Sequence, residues 1–398
     1  MITELLLQSR QILDQVPLKF ERYLMHRINW NNRLIAIKGA RGSGKTTLVL
    51  QYIARNLPKD HTVLYISMED MYFYRNTLLA LTDEFVLNGG KFLFLDEVHK
   101  YPNWAREIKL IYDKYKDLKI VFTSSSILEI YKAKSDLSRR IVAYYLNELS
   151  IREYISIKSN TTLPIIDLDT MLKEQTEITR EITKHIRPVY EFNQYLMHGV
   201  YPYFIEGIEE YPRKLQNTIN LVIENDIPAV YNLDFYLLHK IKKLLYAVAS
   251  SVPFKPNISQ LSQRVGVSRP TLLSFLDYLE KAEIIYQLYI DSIGVSSLAK
   301  PEKIYLHNSN LLHVIARDNF NRGNIRETFF LNQLSVNEQI NYSKHADFIV
   351  NNKIYFEIGG KNKTKAQVKA LDNAYIVKDD IEAGIGNVIP IWLFGFMY

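Results

Sequence analysis

The stretch LIAIKGARGSGKTTLVLQYIA, residues 34–54, constrains this chain more than any other. Residues 34–38 are a short apolar run that reads as a buried strand. Residues 39–46 fit G-x-x-x-x-G-K-[ST] at every fixed position, and residues 46–54 carry helical periodicity. A strand, a glycine-rich loop and a helix in that order form the context in which such a loop cradles a polyphosphate. Gly39, Gly42 and Gly44 let the backbone curl so that successive N–H groups converge on one anion. The N-terminus of the following helix adds partial positive charge at the same spot. Lys45 is placed to reach the β- and γ-phosphates, and the Thr46 hydroxyl to ligate Mg²⁺. The expected nucleotide-contacting segment is Gly39, Ala40, Arg41, Gly42, Ser43, Gly44, Lys45, Thr46 and Thr47; Thr47 lies on a helix face and carries no chemistry of its own.

The segments that follow supply what a bound triphosphate needs. Residues 62–67, TVLYIS, read as a second strand, and Glu69 and Asp70 after it either cap the next helix or face the ligand crevice. In KFLFLDE, residues 91–97, an apolar strand ends in two acids. Asp96 is placed to meet Mg²⁺ through water, and Glu97 to polarise the attacking water as general base. Residues 119–125, KIVFTSS, give a further strand whose Thr123, Ser124 or Ser125 can hydrogen-bond the γ-phosphate or that water. Arg139 and Arg140 follow; Arg140 is the candidate for neutralising transition-state charge, in cis or from a neighbouring subunit. The implied ligands are ATP and Mg²⁺.

A chain of 398 residues predicts two or three domains. With 47% hydrophobic and 23% charged residues the composition is globular, without a disordered bulk. The absence of cysteine excludes disulfides, a thiol nucleophile and Cys-ligated zinc. No apolar run reaches the length of a membrane span, and the first residues lack a secretory pattern, so the expectation is a cytoplasmic chain with no membrane partner. A net charge of +6 permits DNA or RNA as partner and equally describes a lysine-rich solvated surface. A homo-oligomer is also permitted.

The segments LFLDEVHKYPNW, FTSSS and RRIVAYYLNELSIREY resemble the prokaryotic AAA-type ATPases that join this module to a C-terminal nuclease-like domain of unknown function. Asp96, Glu97, Pro102, Trp104, Leu149, Ser150, Glu153 and Tyr154 match that pattern. Ser124 stands where Gly is usual, Arg139 precedes Arg140 in place of Gly, and Glu148 replaces Pro. NQYLMHGVYPYF, residues 193–204, is similar to another segment of the family, and PEKIYLHNSNLLHVI to a third, with Asn308 and Asn310 replacing Asp and Gly.

Residues 1–33 read as two amphipathic helical segments, LLLQSRQIL and FERYLMHRI, and residues 151–250 as mostly helical, with one long run over 211–251. The histidines show no metal-ligand spacing. In residues 257–290, Ile258, Leu261 and Val265 mark a short helix, Gly266 a turn, Ser268 a cap and Leu272, Leu276 and Leu279 a second helix. Residues 282–290 read as the strands of a wing. This is a winged helix-turn-helix by pattern, and its use in DNA contact or in structure and dimerisation is open.

In the last stretch the order of a helix over 322–334, a strand over 346–350, a turn at Asn351 and Asn352 and a strand over 353–358 resembles the restriction-endonuclease-like fold. The resemblance implies a second metal site of Asp347, Glu357 and Lys361, with Glu327 as a further carboxylate. EIGGK puts Lys361 two positions later than that pattern has it, and a remnant with a basic rim of Lys361, Lys363, Lys365 and Lys369 is the alternative. The expected fold class is thus α/β: a P-loop NTPase (AAA-like) parallel sheet over 1–150, a helical lid or connector over 151–250, a winged helix over 251–300 and a nuclease-like α/β domain over 301–398. The expected function is an ATP-hydrolysing conformational switch or motor, with DNA one permitted partner; a nucleotide-gated DNA-binding regulator and a Mg²⁺-dependent nuclease are the alternatives.

Overall fold

The computed structural model describes residues 2–125, 137, 139–231, 233–250, 255–290, 300–316, 321–364, 368–369 and 371–398. The chain divides into two compact units, Met1–Glu148 and Leu149–Tyr398.

The first unit is built on a parallel sheet in the order β2-β3-β4-β1-β5. Its strands are β1 (Leu34–Lys38), β2 (Val63–Ser67), β3 (Phe92–Asp96), β4 (Lys119–Ser124) and β5 (Val142–Tyr145). Leu34 to Ile37 of β1 and Leu93 to Leu95 of β3 are almost wholly buried. Strands covered on both faces have no solvated side, which is why they read as unbroken apolar runs. The helices α1 (Ile2–Asp14), α2 (Lys45–Asn56), α3 (Leu78–Leu87) and α4 (Trp104–Lys114) supply the cover. Leu5, Leu64, Phe85, Leu93, Ile108 and Phe122 share one apolar core. β4 lies between β1 and β3, so the ends of all three meet at one sheet edge. That is where a parallel α/β sheet holds its ligand.

The second helical segment expected before β1 is absent. Arg22 is extended (φ −70°, ψ 145°) and leads into a single 3₁₀ turn, Tyr23–His26. The carbonyls of Pro17 and Phe20 accept hydrogen bonds from Gln51 Nε2 at 2.6 and 2.9 Å, so side chains of α2 satisfy this backbone in place of helical bonds.

The second unit opens with α5 (Ile151–Ser159), whose N-terminus carries a reciprocal capping box of Ser150 and Glu153. Then come α6 (Leu168–Thr183), α7 (Pro188–His198) and α8 (Tyr211–Leu221). The long run over 211–251 is interrupted. A π-helical turn, Val222–Asp226, precedes α9 (Ile227–Tyr231), and Asp234 caps a separate helix, α10 (Phe235–Ala249). The pair α11 (Ile258–Val265) and α12 (Arg269–Lys281) is joined at Gly266, whose φ of 78° only glycine adopts without strain. Ser268 caps α12 through the Thr271 N–H.

Only one strand, β6 (Ile285–Leu288), lies within 282–290. Its antiparallel partner is β7 (Lys303–Leu306). Ile290, two residues beyond β6, bridges to Tyr342. After α13 (Ser309–Ile315) and α14 (Arg322–Leu334) comes a mixed sheet ordered β12-β11-β10-β9-β8. β8 (Ile340–Tyr342), β9 (Phe348–Val350) and β10 (Ile354–Gly359) pair antiparallel; β10, β11 (Ala374–Lys378) and β12 (Val388–Pro390) pair parallel. Phe330 of α14 packs its ring on Phe348, Phe356 and Phe394. The expected strand pair over 346–358 is present, turning at left-handed Asn351 and Asn352. Residues 365–367, including Lys365 of the expected basic rim, lie outside the described residues.

Candidate functional site

The glycine-rich loop joins β1 to α2. Gly39 (φ 151°), Gly42 (φ 85°) and Gly44 (φ 95°) take conformations that a side chain resists. At Gly39 a Cβ would lie 2.2 Å from the carbonyl oxygen of Leu146, so the loop passes directly against the backbone beyond β5. Lys45 is buried and its Nζ donates to the carbonyls of Gly39 (3.0 Å) and Ala40 (2.9 Å), folding its ammonium back into the loop. The Ser43 hydroxyl is buried in the same cradle without a hydrogen-bond partner. A cradle with a buried cation and an unmatched hydroxyl suits a polyanion, which can accept from both.

Asp96 gathers three hydroxyls. Thr46 Oγ1 donates to its Oδ2 at 2.8 Å, Tyr65 OH to the same oxygen at 2.9 Å, and Thr123 Oγ1 to Oδ1. Thr46 and Asp96 thus come from α2 and β3 to one point beside the loop. This set of hydroxyl and carboxylate oxygens fits a hard cation such as Mg²⁺. Burial, reinforced by the charge of Asp96, pushes the Tyr65 phenol far up, which keeps it a proton donor to that carboxylate.

Glu97, one residue on, is left-handed (φ 55°, ψ 46°), an uncommon conformation for a side chain of this size and one that turns it out of the strand. Its N–H donates to Thr123 Oγ1 (3.0 Å), and its Oε2 accepts from Ser125 Oγ (2.9 Å) and lies 3.3 Å from His99 Nδ1. His99 is itself only 4% exposed, with Ser124 Oγ 3.3 Å from Nδ1 and Ser125 Oγ 3.3 Å from Nε2. Burial pushes the Glu97 carboxyl up, but Lys45, His99, the Ser125 hydrogen bond and Arg41 outweigh it and hold the group below the usual glutamate range. The carboxylate therefore stays ionised, as a general base must.

Each of Thr123, Ser124 and Ser125 has a partner in this group, so the end of β4 wires Asp96, Glu97 and His99 together. Arg140 is placed elsewhere. Its Nε and Nη2 each donate at 3.0 Å to the Asp113 carboxylate near the end of α4, and it precedes β5, whose first residues pair with the start of β1. It stands at the opposite sheet edge from the loop, and the expected role in cis is withdrawn.

Three members of the site escaped the sequence reading: Tyr65, His99 and Arg22. The buried Arg22 donates to the carbonyl of Ser43 in the loop and to those of Asn147 (2.6 Å) and Glu148 (3.1 Å), tying the loop to the last residues of the first unit. His99 lies two positions from Glu97, a spacing that placed it at the strand end; Arg22 left no local signal.

In the second unit, Glu327 and Asp347 share Lys303, and Asp347 and Glu357 line one pocket, while Lys361 does not join them. Lys361 is exposed, and its carbonyl accepts from Lys378 Nζ at 3.1 Å. Its expected place is taken by Lys363, whose Nζ lies 2.5 Å from Glu357 Oε1, and by Lys303 between the other two acids. After β10 the Lys363 N–H donates to the Gly360 carbonyl at 2.9 Å, a turn that brings this later lysine back to Glu357. Burial and the neighbouring Asp347 push the Glu327 carboxyl up, opposed by Lys303 and the Tyr305 hydroxyl. Among the described residues no group of three or more His, Cys, Asp or Glu side chains is arranged to hold a metal ion.

Residues 31–155 match a family described as an AAA domain, and residues 189–322 match a domain of unknown function. The chain is thus similar to AAA domains over residues 31–155. The chain is 26% identical to an uncharacterised protein of Methanocaldococcus jannaschii, covering 96% of this chain and 88% of the relative. It is 22% identical to an uncharacterised protein of Haemophilus influenzae, covering 85% of this chain and 84% of that one. Among solved structures, the Walker-type ATPase of Pyrococcus abyssi aligns with 13% identity and a TM-score of 0.40, over 72% of this chain and 91% of that chain. No helix among the described residues is long and apolar enough to cross a membrane.

Proposed function

We propose that the chain binds ATP with Mg²⁺ and hydrolyses it, using the turnover to switch conformation. The observation that carries this reading is the meeting of Lys45, Thr46, Asp96 and Glu97 at one sheet edge, with Thr46 and Asp96 in direct contact. The loop N–H groups and Lys45 hold the β- and γ-phosphates, the Lys45 ammonium leaving its two loop carbonyls to do so. Thr46 and Asp96 hold Mg²⁺, which when bound neutralises phosphate charge. Glu97 accepts the proton of the water that attacks the γ-phosphorus as the β–γ bridging bond breaks, releasing ADP and phosphate. Ser125 and His99 fix the Glu97 carboxylate in its left-handed station. Steady-state phosphate release tests this: the native chain turns over, and Lys45→Ala does not. Equal release from both would reject the reading.

A second reading is a nucleotide-gated DNA-binding regulator, favoured by the α11–α12 pair followed by the antiparallel β6–β7 pair, a winged-helix order. Arg269 is exposed at the start of α12, where a recognition helix meets a groove. Against it, Asp277 pairs with Lys281 at 2.7 Å on the same helix. Anisotropy of labelled duplex across a salt series, with and without ATP, separates the two. Binding that weakens steeply with salt and responds to ATP supports the regulator; no binding at low salt removes it.

A further inference from the structure

The carboxylates that resemblance marks as a nuclease metal site are already supplied with cations by the chain. Lys303, on β7, places Nζ 3.5 Å from Glu327 Oε2 of α14 and 3.9 Å from Asp347 Oδ1 before β9. Its side chain is 10% exposed, and Nζ lies 5.9 Å from the ring centres of both Tyr305 and Phe348, so the ammonium is flanked by two acids and two aromatic faces. Two further donors reach these carboxylates. Tyr305 OH donates to Glu327 Oε2 at 2.7 Å and the Ile358 N–H to Asp347 Oδ2 at 2.8 Å. Glu357, buried on β10, takes Lys363 at 2.5 Å. A Cβ on Gly359 would come within 2.6 Å of the Lys363 side chain, so that lysine is laid closely across a glycine to reach its partner.

We propose that the Lys303 ammonium stands in the place a divalent cation would take between Glu327 and Asp347, making this a metal-free centre in which the chain compensates its own acids. Two physical facts carry this. A half-buried carboxylate pair, 16% and 20% exposed, is stabilised by a counter-charge, and Lys303 provides one that is covalently part of β7 and therefore always present. A divalent ion entering the same space would meet a fixed positive charge and would have to displace it, along with the Tyr305 and Ile358 donors. The adjoining pocket of about 410 Å³, lined by Lys255, Lys303, Lys344, His345, Asp347 and Glu357, carries mixed charge on its walls. The centre ties β7 to α14 and to the hairpin of β9 and β10. Its work is to hold the wing strand on the C-terminal sheet, with no part in phosphodiester hydrolysis.

The test is Mn²⁺ binding by calorimetry to the full, nucleotide-free chain carrying Asp96→Asn, which removes the first unit's carboxylate ligand. On that background Asp347→Asn leaves Mn²⁺ uptake unchanged. Lys303→Met gains a saturable site at least about 10-fold tighter than any in its parent, about 1.4 kcal/mol, and the further change Asp347→Asn abolishes it. The proposal is overturned by a saturable site in the parent that Asp347→Asn removes, or by a Lys303→Met chain with native circular dichroism and no gained site. If Lys303→Met does not fold, the comparison of parent with Asp347→Asn decides alone.

Discussion

The Lys45 ammonium rests on the carbonyls of Gly39 and Ala40, and the Thr46 hydroxyl rests on Asp96. Each contact is one that a bound phosphate or its metal would replace, so substitutions here separate binding from chemistry. Glu97→Gln keeps the side chain's shape and its Ser125 contact but loses the base. Nucleotide affinity is expected to persist while kcat falls about 10²- to 10⁴-fold; loss of affinity in a titration would assign Glu97 a structural role. His99→Ala frees one side of the Glu97 carboxylate, and a loosened base is expected to cost about 10- to 100-fold in kcat with affinity unchanged. His99→Gln, which can still donate to Glu97, recovers part of it. A fall in affinity with kcat intact would contradict this assignment. At this scale the fixed positions of a motif were legible because the chemistry demands those residues at those spacings. Tyr65, His99 and Arg22 were not, because their roles arise only when strands β2, β3 and β4 and the segment before β1 come together. Arg140 shows the converse: its neighbourhood in sequence pointed to the site, while its pairing with Asp113 holds it at the other sheet edge.

Among the elements, the strands β1 to β4 lie within a residue of their expected limits because burial on both faces leaves a continuous apolar signature. β5 left none, since Val142 and Ala143 are exposed and it pairs only with β1, at the sheet edge. The wing is half legible: β6 follows the helix pair, but β7 comes after residues 291–299, beyond the limit at residue 300 that the sequence pattern predicts. α12 carries a measurable consequence. Burial pushes the Glu280 carboxyl up; two hydrogen bonds from Gln287 at 2.8 Å pull it back, Asp277 adds to the rise and His307 opposes it. Its folded-state affinity for a proton thus exceeds that of the unfolded chain. Between the ordinary glutamate value and the raised one the folded state binds more protons, so stability falls as pH rises through that window. Urea melts at stepped pH are expected to show this decline, and Glu280→Gln to flatten it; the same slope in both proteins would remove Glu280 as its source.

For the whole molecule, the two units carry different kinds of chemistry. The first assembles hydroxyls and acids around a cradle suited to a polyanion and a hard cation; the second matches its acids with lysines. Sequence alone marked both as acid-bearing sites, because it shows carboxylates without their partners. Only the folded positions of Lys303 and Lys363 distinguish a charge-compensated centre from a metal site. The nucleotide chemistry of the whole molecule rests on occupancy of the loop between β1 and α2. Calorimetric titration of the full chain with ATP in excess Mg²⁺ is its most direct test. Saturable, one-to-one binding to the native chain is expected, with at least about a 100-fold loss, roughly 2.7 kcal/mol, in Lys45→Ala. Absence of binding to the native chain, or equal affinity in both, would contradict it.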